Sequence, residues 1–423
     1  MTRDRTLGLV REGYPWAPRL RDGATAVPIR FLGRRSVVVG GPEGVRRFYD
    51  PRLRRHGAFP PPIKLVLFGA GSVHGLDDAE QHHRKALFVD VLSPASVTAL
   101  GERAAREWDA ALARWQDADR VVLFDEAVRV IATSVLLWAG IPVPPAELPR
   151  RARQLAAIVD GFAKPGPPYL RAVAARVQTD RWARGLVHRV RAGALDAAPG
   201  TALHAAATAT DLRGRLLPER VAGVELLNVV RPTVAVAWFV AFAGRALHEH
   251  PHWRERIAGG DEAALEAFVQ EVRRLYPFVP VLAARTRSAQ DVLGVAVPRG
   301  GFVVLDVHGT DHDPQHWPEP DAFDPTRFLA GPVDPDALVP QGGGDVATGH
   351  RCPGEGATLT MLAVAVRALA SAPLVVPPQD LEHDPAVMPA MPRSGVVLSA
   401  RAAGGAGGDP VAAGCPFAAG AAS

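Results

Sequence analysis

Residues 219–250, ERVAGVELLNVVRPTVAVAWFVAFAGRALHEH, carry the most apolar helical pattern in the chain, and any fold must build its core around it. In the middle of that pattern stands Arg231-Pro232. Proline removes a helical hydrogen bond and bends or opens the helix. A buried guanidinium is strongly disfavoured unless an anion compensates it. Neither residue serves stability, so together they mark a site. A guanidinium fork matches a carboxylate bidentately, which points to an acidic ligand. Two plainer readings stay open: a snorkelling arginine beside an incidental kink, and a buried pair with Asp or Glu.

The remaining pattern is mainly α with small β-sheets. Residues 26–39, AVPIRFLGRRSVVV, predict a hairpin turning at Gly33-Arg34. Gly41-Pro42-Glu43 opens a helix running to Tyr49, and Pro60-Pro61-Pro62 breaks the chain. Helical spacing then returns over 77–92, 98–117, 121–139, 147–163 and 168–195, separated by Pro or Asp clusters. A further helix is predicted over 262–275, a strand over 300–307, an ordered irregular loop over 308–329, and a helix from about 354 to 371. No repeat or linker divides the chain, so residues 1–401 are expected to form one domain. Residues 402–423 are mostly Ala and Gly with little to bury, which predicts a disordered tail.

A second unusual stretch is PQGGGDVATGHRCPGEG, Pro340–Gly356, which holds Cys352 ahead of an apolar helical pattern. Glycines admit close approach of a flat ligand, and a cysteine at a helix N-terminus lies where N–H groups and the helix dipole favour a thiolate. That setting suits an axial haem thiolate. A small buried cysteine in a turn is the bland alternative. Cys415, the other cysteine, lies in the tail, so a disulfide scaffold is not expected. Glu271 and Arg274, three apart, can pair on one helix face, which is ordinarily a weak surface contact. His74, in GSVHGLD, is suited to handling protons near neutral pH.

Other function classes find little support. His308, His312 and His316 are spaced by four, but their segment is too proline-broken for a metal-binding helix. Gly342-Gly343-Gly344 lacks the Gly-Lys-Ser/Thr of a phosphate loop. Net charge is +4, and the only lysines are Lys64, Lys85 and Lys164, so no basic block suggests nucleic acid. The charged start, MTRDRTLGLV, does not read as a signal peptide, and no membrane span is expected; a soluble, cytoplasmic protein is the expectation.

In this order, Glu271-x-x-Arg274, then DPTRF (Asp324–Phe328), then the Cys352 loop with Pro353-Gly354, the chain resembles the cytochrome P450 superfamily over roughly residues 10–400. The resemblance implies the cytochrome P450 fold, with haem b between the long central helix and the Cys-loop helix. It also implies Cys352 as the iron's axial ligand, Glu271 and Arg274 as a structural pair, and His350, Arg285 and Lys85 at the haem propionates. Gln81 stands where relatives often carry histidine. Asp345 and Thr348 replace a customary Phe and Gly of the loop, and Arg231-Pro232 replaces the acid–alcohol pair that relays protons. These departures resemble one branch, the bacterial fatty-acid peroxygenases, as do VVRPTVAV, ALHEHP and VRRLYPFVP.

That branch implies hydrogen peroxide as oxidant and a long-chain fatty acid as substrate, with no obligatory redox partner. It implies Arg231 holding the substrate carboxylate as general acid/base, Pro232 keeping the helix open, and His74 at a position linked to β-hydroxylation and terminal-alkene formation. Phe68, Val159 and Phe278 are expected along the acyl channel. The competing readings are a redox-partner-dependent monooxygenase of another acidic substrate and a non-catalytic haem-binding protein.

Overall fold

The computed structural model describes residues 3–116, 118–276 and 278–399. The expected tail, Cys415 included, lies outside the described residues. The central apolar stretch is two helices, Glu219–Val234 and Val236–Glu249, meeting at Ala235. Pro232 has no N–H to give to the carbonyl of Asn228. Ala235 N–H instead reaches back to Arg231 O at 3.3 Å and Pro232 O at 3.1 Å, closing the first helix in a tightened turn. Of the two effects expected of Pro232, bending or opening, the helix shows the second: it is interrupted at Ala235.

By length and composition 219–249 is long and apolar enough to cross a membrane, yet 89% of its most apolar window is buried within the protein. The helices Leu123–Trp138, Leu148–Gly161 and Pro167–Arg191 pack along it, and Glu355–Ser371 covers its second half. Their facing residues, such as Ile131, Leu155, Leu226, Val240 and Leu362, form one continuous core.

Beside this helical body lies a five-stranded sheet in the order Ala26–Phe31, Arg34–Val39, Phe302–Asp306, Val281–Thr286, Leu53–Arg54. Only Arg34–Val39 and Phe302–Asp306 run parallel, Val37 opposite Val303. All five residues of Phe302–Asp306 are buried, as a central strand of β-branched and aromatic residues should be. The predicted hairpin is present, but Phe31 pairs with Arg34, so the turn is Leu32-Gly33. Both turn residues are left-handed, φ 47° and 74°, as a two-residue hairpin of right-twisted strands demands.

Residues 308–329 are less irregular than expected. They begin in a short helix, Val307–Asp311, and include a 3-10 turn at Pro325–Phe328. Arg274 stitches this segment together. Its Nη1 donates to Asp311 O at 2.9 Å and Pro320 O at 2.8 Å, and its Nη2 to Ala322 O at 3.1 Å.

Candidate functional site

The cysteine loop is built on glycines that wrap one aromatic ring. A Cβ at Gly342 would lie 2.6 Å from the Tyr49 hydroxyl, and one at Gly344 3.0 Å from its ring. Both glycines have positive φ, which any side chain would oppose. The Asp345 carboxylate then accepts from Thr348 N at 2.6 Å and Thr348 Oγ1 at 2.7 Å. The two departures noted in this loop thus belong to one turn and are each other's partners. Cys352 N donates to Gln341 O at 3.2 Å, which sets the thiol just before the helix Glu355–Ser371. Burial pushes the thiol pKa up, while the Gly354 N–H and the Lys85 charge pull the other way. Helix geometry alone therefore does not yield a thiolate here, and ligation to a metal would be what deprotonates it.

Beneath the loop, Glu271 and Arg274 are both fully buried and paired bidentately, 2.6 and 2.8 Å. This is not the exposed contact that the i, i+3 spacing alone suggests. Glu271 also accepts from Asp324 N at 2.8 Å, which explains why DPTRF follows at that place in the fold. Glu355, in the first turn after the cysteine, bridges Arg273 at 2.6 Å and Arg351 at 2.7 Å. It anchors the cysteine loop to the Glu271 helix.

Lys85 acts on the thiol and Arg55 on His350 of the same loop, while Arg285 stands beside Arg54 on the neighbouring strand. Lys85 Nζ donates to Gly349 O at 2.6 Å and Arg351 O at 2.9 Å, and Gln81 Nε2 donates to Gly349 O at 3.1 Å. Arg285 Nε reaches Gly300 O at 3.1 Å, and Arg55 lies buried over the Phe48 ring at 4.1 Å. Burial, then Arg55 and Lys85, push His350 down to about 3. Among the described residues, Lys85, Arg285 and Arg55 form no ion pair with a carboxylate. Lys85 and Arg55, without carboxylate partners beside the buried thiol and its loop, match a porphyrin that carries two propionates and a thiolate-ligated iron, so these residues fit haem.

Arg231 faces this site from the other side. It is 4% exposed, and its Nη2 donates to Asn228 Oδ1 at 3.3 Å. Its Nε has no partner, and no carboxylate pairs with it among the described residues. Both plainer readings therefore fail: the head does not reach water, and there is no Asp or Glu partner. Burial, then the neighbouring Arg176, lower its pKa to about 9, which leaves it protonated at neutral pH; the Cys352 charge acts in the opposite sense. Asn228 Nδ2 meanwhile donates to Phe68 O at 3.0 Å and Glu225 Oε2 at 3.2 Å. Glu225 itself is taken by Arg84 at 2.8 Å and Val73 N at 2.9 Å.

His74 stacks on Phe68, ring centres 4.2 Å apart and planes 21° from parallel. Burial, and next Arg231, push it down to about 3, so the imidazole is neutral. Its Nδ1 is buried without a partner. Phe278 contacts Trp238 and Phe239 of the second central helix, at 6.1 and 6.5 Å between ring centres. It also packs on the cluster holding Leu67, Ile158 and Phe162. Tyr14 Oη donates to Phe278 O at 2.8 Å, fixing that wall from the N-terminal segment. Val159 is fully buried in the main core.

The fold therefore assembles Arg231, His74 and Phe68 on one side of the site, with Cys352, Lys85 and His350 on the other. Sequence reasoning missed Asn228, Glu355, Arg55, Gln341 and Arg176. Asn228 had a usable signal, being a polar residue one helical turn before Arg231 in an apolar pattern. His308 and His312 line a separate cavity of about 300 Å³ with Tyr14, Tyr276 and His383. No cluster of three metal-ligating side chains exists among the described residues.

Comparison with known proteins agrees with this geometry. Residues 263–385 match the cytochrome P450 family. The structure is similar to cytochrome P450SP alpha (CYP152B1) in complex with (R)-ibuprophen, TM-score 0.91, 38% identical, covering 95% of this chain and 100% of that one. It is also similar to cytochrome P450EX alpha (CYP152N1) with myristic acid, TM-score 0.88, 37% identical, covering 94% and 96%. Among curated relatives, cytochrome P450 3A16 of Mus musculus is 36% identical over 83 residues, 19% of this chain and 16% of its own length.

Proposed function

The chain belongs to the cytochrome P450 superfamily, in its CYP152 group with haem b as cofactor, and on that footing we propose that it is a peroxygenase of long-chain fatty acids. It would use hydrogen peroxide to hydroxylate them at Cα or Cβ, to decarboxylate them to terminal alkenes, or both. One observation carries the reading: the protonated guanidinium of Arg231, enclosed in the central helix beside the haem site, has no anion of its own among the described residues. A fatty-acid carboxylate is the anion that an apolar channel ending in arginine selects. The similarity to a protein solved with myristic acid supports it.

Haem, when bound, supplies the iron at which the peroxide O–O bond is cleaved, and Cys352 would be its protein ligand. The chain's own residues do the rest. Arg231 fixes the carboxylate, and Asn228 fixes Arg231. Held there, the carboxylate is a base that takes a proton from peroxide and returns it to the departing oxygen, so no acid–alcohol pair is needed. Neutral His74 adds a hydrogen-bonding group without adding charge. Anchoring at the head places Cα and Cβ, rather than the far end of the chain, nearest the oxidant.

The test is to incubate the haem-loaded protein with a long-chain acid and hydrogen peroxide and to analyse products by gas chromatography. Hydroxy acids or 1-alkenes are expected. Turnover that occurs only with a reductase and ferredoxin, and never with peroxide, would overturn the peroxygenase reading.

A further inference from the structure

We propose that Arg176, on the helix Pro167–Arg191, is a specificity-determining residue that makes the pocket prefer an ionised carboxylate to a neutral head group of the same chain. This rests on the fatty-acid reading above and deepens it. Arg176 is 4% exposed. Its Nη1 reaches Leu67 O at 3.4 Å, the residue before Phe68, whose own carbonyl is held by Asn228. The guanidinium lies directly against Gly69, where a Cβ would come within 2.0 Å of Nη2 and 2.9 Å of Val224 Cγ1 on the Arg231 helix. Arg176 thus stands on the far side of the short turn that carries Phe68, close enough for its charge to be felt at both Arg231 and His74.

Two like charges inside one apolar wall repel, and that arrangement is hard to explain by stability alone. As a structural clamp Arg176 is poor. Its one hydrogen bond is long, Nε makes none, and Nη2 meets only Asp180 Oδ1, at 2.7 Å on the same helix. That counter-charge, Asp180, is 33% exposed, whereas the guanidinium is enclosed. The other acid of this region, Glu225, is spent on Arg84, Asn228 and Val73 N. Two guanidiniums, Arg231 and Arg176, thus share the one partly exposed carboxylate of Asp180, which leaves the pocket with a positive potential in a poorly screened interior. An anion at Arg231 gains from the second cation, and a neutral alcohol or ester does not. The electrostatic role also predicts a sign that a packing role does not. Neutralising Asp180 should strengthen the preference that neutralising Arg176 weakens.

The haem-loaded protein is titrated calorimetrically with a long-chain fatty acid and with the primary alcohol of equal length, for wild type, Arg176→Gln, Arg176→Lys and Asp180→Asn. The acid-to-alcohol affinity ratio should fall about tenfold in Arg176→Gln, stay within about threefold of wild type in Arg176→Lys, and rise in Asp180→Asn. Equal weakening of acid and alcohol in Arg176→Gln, or a falling ratio in Asp180→Asn, overturns the proposal. A wild type that itself shows no preference for the acid overturns the fatty-acid reading. A preference that survives intact in Arg176→Gln overturns the role of Arg176 alone.

Discussion

At the scale of single residues, the site depends on groups whose ordinary behaviour has been suppressed. Arg231 holds a charge with no counter-ion among the described residues, so Arg231→Ala should abolish fatty-acid turnover and weaken acid binding by at least about tenfold. The thiolate haem spectrum should be unchanged, because Cys352 and its cations come from other elements; absorbance and product analysis on one preparation check both parts. His74 gives a prediction in pH. Its folded value of about 3 lies below the ordinary 6.5, so between those values the unfolded chain binds the extra proton. Stability is therefore lost as pH falls from 6.5 toward 3, and above 6.5 the group contributes no slope. In His74→Gln this share of the slope disappears, up to about 1.4 kcal/mol per pH unit. Urea unfolding at several pH values between 4 and 7 measures it, and parallel curves for the two proteins would contradict the buried neutral imidazole.

At the scale of elements, polar side chains hold loops in place while apolar ones hold helices. Glu271 gathers Arg274 and Asp324 N, and Arg274 gathers three carbonyls of the following segment. Glu271→Ala would leave a buried guanidinium uncompensated, so a loss of about 3–5 kcal/mol is expected, visible as reduced haem retention and a lowered thermal midpoint. Tyr14→Phe removes the donor to Phe278 O and should lower stability by about 1 kcal/mol. If that contact also steers the channel wall, the variant shifts the position of hydroxylation without lowering the total oxidised product, which chromatography of the hydroxy acids would show. Helical spacing and proline punctuation made the long helices legible to within a few residues. The hairpin turn was misplaced by one residue because Leu32 occupies a left-handed position that glycine normally takes. The break at Ala235 lay three residues past the proline that causes it, since a helix can still close carbonyls behind a proline. Motif order made Cys352, Glu271 and Arg274 readable, whereas Asn228, Glu355 and Arg176 act through partners distant in sequence, which no local pattern announces.

At the scale of the whole molecule, the most apolar segment is also the most specifically functional, because enclosing it on all sides is what leaves Arg231 unpaired. The turn Lys64–Phe68 lies between that segment and the helix Pro167–Arg191. Phe68 O is held from one of these helices by Asn228, and the Arg176 guanidinium of the other packs against Gly69 and only loosely touches Leu67 O. Contact with both helices makes the turn a joint property of three stretches of chain. A chimera that moves only residues 64–75 into a related scaffold should therefore keep the recipient's product pattern. The donor's pattern would travel with the graft only when positions 176 and 228 are transplanted alongside it, so selectivity here is inherited as a block rather than residue by residue.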